Sequence, residues 1–154
     1  MSTAIETAER IPLANQEPKV QVQCRCGAIK IQVLADPVAQ FFCHCDDCQA
    51  AHGAAYVPES AYAADALVIA EGSPSAWMVK RNQRFFCPTC GTRLFIDIPS
   101  VGLRGLNGHL LPAGAFEPQF HMHCSYAVLP VRDGLPHYKS WPPRFLGSGE
   151  VVAW

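Results

Sequence analysis

Seven of the eight cysteines in this 154-residue chain fall into three tight groups: Cys24-x-Cys26, Cys43-x-Cys45-x-x-Cys48 and Cys87-x-x-Cys90. No other feature restricts the fold as strongly, because grouped thiols either cross-link or converge on a metal. The first 18 residues carry Glu6, Glu9 and Glu17 and no apolar core of the kind a secretory signal needs. The expectation is therefore a cytoplasmic, reducing setting, where clustered thiols serve as metal ligands rather than disulfides.

Spacing divides the cysteines further. Cys24-x-Cys26-Gly27 and Cys87-x-x-Cys90-Gly91 each put two thiols on a tight turn, and together they offer the four sulfurs of a closed, structural zinc site. Cys43, Cys45 and Cys48 offer three, which leaves one position on a second zinc open, as in catalytic sites. A fourth protein ligand would instead close that site and make the protein a non-catalytic, zinc-dependent binding module. His52, one helical turn past Cys48, is the nearest candidate, with His121, His123 and Cys124 further along. His44, between two ligands, is expected to point away from the metal.

Composition narrows the class. With 49% hydrophobic and 16% charged residues the chain favours collapse over disorder. A net charge of −1 offers no basic excess for a nucleic-acid partner. No run of about 18 apolar residues exists to span a membrane. The low charged fraction is compatible with a homo-oligomer. Length suits one domain, read as a flexible N-terminal arm over 1–18 and a single zinc-binding domain over 19–154.

Eleven glycines and thirteen prolines imply many turns, and short alternating runs imply a mainly β fold of antiparallel strands. Val20–Val22 and Ile29–Val33 read as a hairpin around the first thiol turn. Val38–Phe42 leads into Cys43. Asp46 or Asp47 can cap a short helix over 48–52, with Gly53 as its stop. Further strands are expected at 54–57 (ended by Pro58), 66–70, 76–79, 84–86, 94–98, 120–125 and 127–131. Segment 101–118 reads as a loop in which Leu103, Leu106 and Leu110 still pack. Lys80-Arg81-x-x-Arg84 reads as a solvated edge or, more sharply, as a site for substrate carboxylates.

The strings CRCGAIKIQV (24–33), FCHCDDCQAAHGA (42–54) and FFCPTCGTRLF (85–95) resemble the glutathione-dependent formaldehyde-activating enzyme family, more loosely joined by FHMHCSYA and DGLPHY at 120–138. The resemblance implies an Mss4-like β fold with two zinc ions per chain. Cys24, Cys26, Cys87 and Cys90 would hold the structural ion, and Cys43, Cys45 and Cys48 the catalytic one. Where the family often carries a tryptophan after the late strand, this chain reads Ala127-Val128. The implied activity is that of a carbon–sulfur lyase adding a small-molecule thiol (glutathione or a similar one) to formaldehyde or another small aldehyde. Zinc held by three thiolates is a weak Lewis acid suited to a soft sulfur as fourth ligand, and it deprotonates a bound thiol. A different thiol or electrophile is the alternative within the family.

Overall fold

The computed structural model describes residues 12–154, so most of the expected arm lies outside the described residues. Alternation produces the first hairpin: β1 (Val20–Gln23) and β2 (Lys30–Val33) bury Val22, Ile31 and Val33 and expose the glutamines of β1. They pair antiparallel and are joined on the far side by β5 (Leu67–Glu71), completing a three-stranded sheet.

The larger sheet has seven strands: β3 (Ala39–Cys43), β4 (Val57–Ala63), β6 (Ser75–Val79), β7 (Asn82–Phe86), β8 (Arg93–Ile98), β9 (Leu103–Asn107) and β10 (Phe120–Met122). Their order is β10-β3-β4-β9-β8-β7-β6. Every pair is antiparallel except β10 with β3, which is parallel, a departure from the all-antiparallel expectation. A core containing Ile31, Val33, Leu67, Leu94 and Leu106 joins the two sheets. A second, around Phe41, Val57, Ala61, Phe120 and Met122, takes in Cys43 and Cys48, so the middle cysteine group is embedded in packed apolar structure.

Several expected elements are corrected. The strand assigned to 54–57 begins at Val57 and runs through Pro58 to Ala63. Proline is tolerated there because pairing with β9 starts only at Glu59, so its missing N–H interrupts no ladder on that side. Segment 101–118 contains β9, hidden from sequence reading by Gly102, Gly105 and Gly108. No strand forms at 127–131, where Val128 and Leu129 are exposed. The tail instead lies along β10: His121 N donates to Pro136 O at 2.8 Å and Tyr138 N to His121 O at 3.0 Å.

Leu106, fully buried at the centre of β9, tests whether this strand carries the joint core. Leu106→Ala is expected to cost about 2–5 kcal/mol, read as a lowered denaturant midpoint. A loss below about 1 kcal/mol would place the core elsewhere.

Candidate metal centres

The first and third cysteine groups meet. Cys24 and Cys26 sit on the turn after β1, where Gly27 N donates to Cys24 O and Ile29 N donates to Cys24 Sγ at 3.3 Å. Cys87 and Cys90 sit on the turn between β7 and β8, closed by Gly91 N donating to Cys87 O at 2.8 Å. Gly91 has φ +75°, a conformation L side chains resist. Arg25 N donates to Thr92 Oγ1 at 3.0 Å and locks one turn to the other. Cys24 and Cys26 sulfurs are 3.6 Å apart, Cys26 and Cys87 sulfurs 3.8 Å, and all four lie within 4.8 Å of one another. Sulfurs at about 2.3 Å from one tetrahedral centre would be about 3.8 Å apart, so four thiols at this spacing fit a metal ion.

Cys43, Cys45 and Cys48 converge equally closely. Cys43 ends β3, Cys45 precedes α1 (Asp46–His52), and Cys48 lies in its first turn. The helix cap differs from expectation. Cys45, not Asp46 or Asp47, is the N-cap, its Sγ accepting from Cys48 N at 3.3 Å. Asp46 instead accepts from Asp47 N, and Asp47 pairs with Lys80 at 3.0 Å. Gly53 stops the helix in the left-handed conformation, as expected.

The three thiols perturb one another. Hydrogen bonds from Cys43 and Cys48 hold the Cys45 thiol far below the usual range, and the bond to Cys45, with burial, pushes Cys43 well above it. Cys48 is also pushed up, its bond with Cys43 outweighed by Cys45 and burial. A cluster that ionises once easily and then resists is matched to a dication, which relieves the repulsion among thiolates.

Two neighbours of Cys48 were missed in the sequence. Glu59 on β4 is buried, and Cys48 Sγ donates to its Oε1 at 3.3 Å. Burial lifts this carboxyl to about 7 against the opposing bond from Cys48. Gly105 makes the room: a Cβ there would stand 2.8 Å from Glu59 Oε2. Arg84 is 6% exposed and aims both terminal nitrogens at Cys48 Sγ, at 3.7 and 3.6 Å. It is thus no part of a solvated edge. Its signal was its alternation along β7, which turns it inward while Gln83 is exposed. Glu59 could have been noticed as a single carboxylate within a buried strand.

Among the described residues, no other cysteine, histidine or carboxylate joins the three sulfurs at comparable spacing. His52 lies instead in a small cleft with Arg84, Arg93 and Trp77. His123 borders the same large cavity as the cysteines. Cys124 is buried, its thiol raised to about 12 by burial. His121 turns toward His44, whose ring is 1% exposed and stacks on Tyr56. His44 Nε2 is 2.8 Å from His121 Nδ1, and His121 Nε2 is 2.6 Å from Asp133 Oδ2. With His137, these groups pin the tail behind the Cys43–Cys48 loop.

Desolvation lowers His44 from 6.5 to about 4. The unfolded chain therefore takes a proton below about 6.5 that the folded chain refuses, so stability is lost as pH falls. His44 alone contributes about 2 kcal/mol of this loss between pH 7 and 5. Urea midpoints should fall over that interval, and less steeply in His44→Gln, which keeps a donor for His121. Identical slopes would contradict this.

The profile described as glutathione-dependent formaldehyde-activating enzyme matches residues 19–126. A crystal structure of a Rhodobacter sphaeroides protein superposes with TM-score 0.51 and 21% identity, covering 61% of this chain and 89% of that one. At that identity the likeness speaks for the fold. No curated protein matches. The match spans most of the chain and contains all seven grouped cysteines: this protein belongs to the glutathione-dependent formaldehyde-activating enzyme family.

Proposed function

We propose that the protein is a zinc-dependent carbon–sulfur lyase that adds glutathione, or a related thiol, to formaldehyde or another small aldehyde and releases the S-hydroxyalkyl adduct. The observation carrying this reading is three converging sulfurs that border a cavity of about 610 Å³, with no further cysteine, histidine or carboxylate grouped within 4.8 Å of all three among the described residues. Family membership supports the same reading.

In this reading Cys24, Cys26, Cys87 and Cys90 hold a structural zinc, and Cys43, Cys45 and Cys48 hold a second. When bound, the second ion supplies a soft electrophilic centre that takes a thiol sulfur and holds it deprotonated. The chain's own groups do the rest. Arg84 places a guanidinium on Cys48 and offsets negative charge accumulating on the sulfurs. Glu59, lifted by burial to about 7, accepts a hydrogen bond from Cys48 Sγ and, being only partly ionised near neutral pH, adds less charge beside the sulfurs than an ordinary carboxylate would. The sulfur–carbon bond forms as the carbonyl π pair moves to oxygen, which takes the proton the thiol gave up. The eight thiols are free in the structure, in keeping with a reducing cytoplasm. No helix among the described residues is long and apolar enough to cross a membrane.

The decisive experiment follows exchange between labelled formaldehyde and its glutathione adduct by NMR. Zinc-loaded protein is expected to accelerate exchange in proportion to its concentration, and Cys45→Ser to abolish the acceleration while keeping a cooperative thermal transition. Undiminished acceleration in Cys45→Ser sinks the reading. Cys87→Ser should instead lose the folded state, because structural zinc contributes on the order of 10–16 kcal/mol, comparable to a whole domain's stability.

Arg84→Met tests the support behind Cys48. It is expected to weaken metal binding at the three-cysteine site by about 10–100-fold in chelator competition, leaving the four-cysteine site unchanged. Equal affinity in both proteins would deny Arg84 that role.

A further inference from the structure

The cavity beside Cys43, Cys45 and Cys48 is shaped for more than a one-carbon carbonyl. Its walls away from the sulfurs are apolar: Ile98, Val101 and Leu103 come from β8, β9 and the turn between them, and Trp141, Phe145 and Leu146 from the tail. Formaldehyde itself would cover almost none of this wall, leaving the thiol as the one other substrate group that could reach it.

The cations around the cavity are already engaged. Lys80 pairs with Asp47 at 3.0 Å. Arg84 directs both terminal nitrogens at Cys48. Arg144 donates through Nη1 to Gln119 Oε1 at 3.1 Å and through Nη2 to Val38 O at 2.7 Å. Asp46 and Asp47 stand among the same lining residues. Arg144's partners are neutral and Lys80 is exposed in its pair with Asp47, so the rim keeps positive charge within reach of a thiol's carboxylate, while the apolar wall beyond it lies uncovered.

Leu146 is the most exposed apolar side chain on this wall. Its side chain is 99% exposed, and its backbone has φ +65°, a region costly for a non-glycine residue. The turn that holds it is tightly built. Leu146 N donates to Pro143 O at 2.9 Å and Gly147 N to Pro142 O at 3.1 Å. Gly147 can only be glycine, since a Cβ would lie 1.7 Å from Trp141 O. Leu146 takes this conformation as the C-cap of the turn Pro143–Phe145, and the turn leaves its apolar side chain at the cavity's mouth, with Val101, 58% exposed, also on its lining.

We propose that this cavity binds the hydrocarbon portion of an aldehyde, so that the electrophile is a medium-chain or aromatic aldehyde rather than formaldehyde. The inference rests on the thiol–aldehyde reading and specifies its electrophile. The thiol sulfur bonds to the carbonyl carbon, the π pair passes to oxygen, and the thiol proton follows it; nothing is oxidised or reduced. Each methylene moved from water onto the wall favours binding by roughly fourfold.

The test measures NMR exchange between aldehyde and hemithioacetal with full-length protein loaded with zinc at both clusters. Formaldehyde and hexanal are compared, each with glutathione and with 2-mercaptoethanol. Acceleration over the protein-free rate is expected to be greater for hexanal by at least about tenfold. The hexanal-to-formaldehyde ratio should fall at least about fivefold in Leu146→Asp and in Val101→Asp, both exposed positions where a charge leaves folding intact. Acceleration of formaldehyde equal to or above that of hexanal overturns this inference and leaves the thiol–aldehyde reading standing. A ratio unchanged in both variants overturns the assignment of the cavity. Acceleration of neither aldehyde with either thiol overturns both readings.

Discussion

Thiols drawn together tend not to ionise together, and much of this structure depends on that repulsion. Within the Cys43–Cys45–Cys48 group the first proton leaves readily because two neighbouring thiols donate to the resulting thiolate; the remaining two are then held. Only a cation can bring all three sulfurs to the charged state inside an apolar core. The fold has prepared for this by placing Arg84 against Cys48 and by burying Glu59 where its own ionisation is suppressed. Burial therefore acts twice: it raises the cost of uncompensated charge and strengthens each interaction that compensates it.

The two clusters differ in how the backbone builds them. The four-cysteine group joins two separate turns, so its closure ties the three-stranded sheet, through β1, to the larger sheet, through β7 and β8. The three-cysteine group is local, contained in the passage from β3 into α1. Its rigidity comes from behind: His44 N donates to Met122 O at 3.0 Å, and the His44 ring meets His121, which Asp133 holds. The distributed cluster bridges the two sheets, whereas the local one, backed by a buried polar chain and partly within the second core, borders a cavity with its sulfurs.

Much of this was legible in the residues. Local signals carry local structure: alternation placed the β1–β2 hairpin, and Gly53 marked the end of α1. The cysteine spacings grouped the sulfurs as they are found in space. Signals failed where tertiary packing overrode them. Gly105 looks like a loop residue but sits in a strand paired on both sides, where Glu59 and Ile96 occupy the space a Cβ would need. Val128 and Leu129 look like strand residues but find no partner, since the tail at 136–138 covers β10 first. Glu59 escaped notice, and Arg84 was read as part of a solvated edge or a carboxylate site rather than as a neighbour of Cys48, because their roles depend on which strands become neighbours, and no spacing within one segment encodes that.

The division between family and individual runs along the chain. The family match ends at residue 126, after both cysteine clusters and every strand of the two sheets. Asp133 and His137, which brace the second cluster, lie beyond it, as do Trp141, Phe145 and Leu146 on the cavity wall. The cysteines that could hold metal thus lie in the shared part, while the far wall of the neighbouring cavity draws heavily on the tail. The tail is tied to β10 and the turn after it by backbone hydrogen bonds at 136–140 and packs Tyr138 and Phe145 against Phe120, but its exposed side chains, Leu146 among them, can change with little consequence for the sheets. Substrate choice in such a protein is therefore free to diverge while sulfur geometry stays constant, and fold alone does not determine which carbonyl is taken.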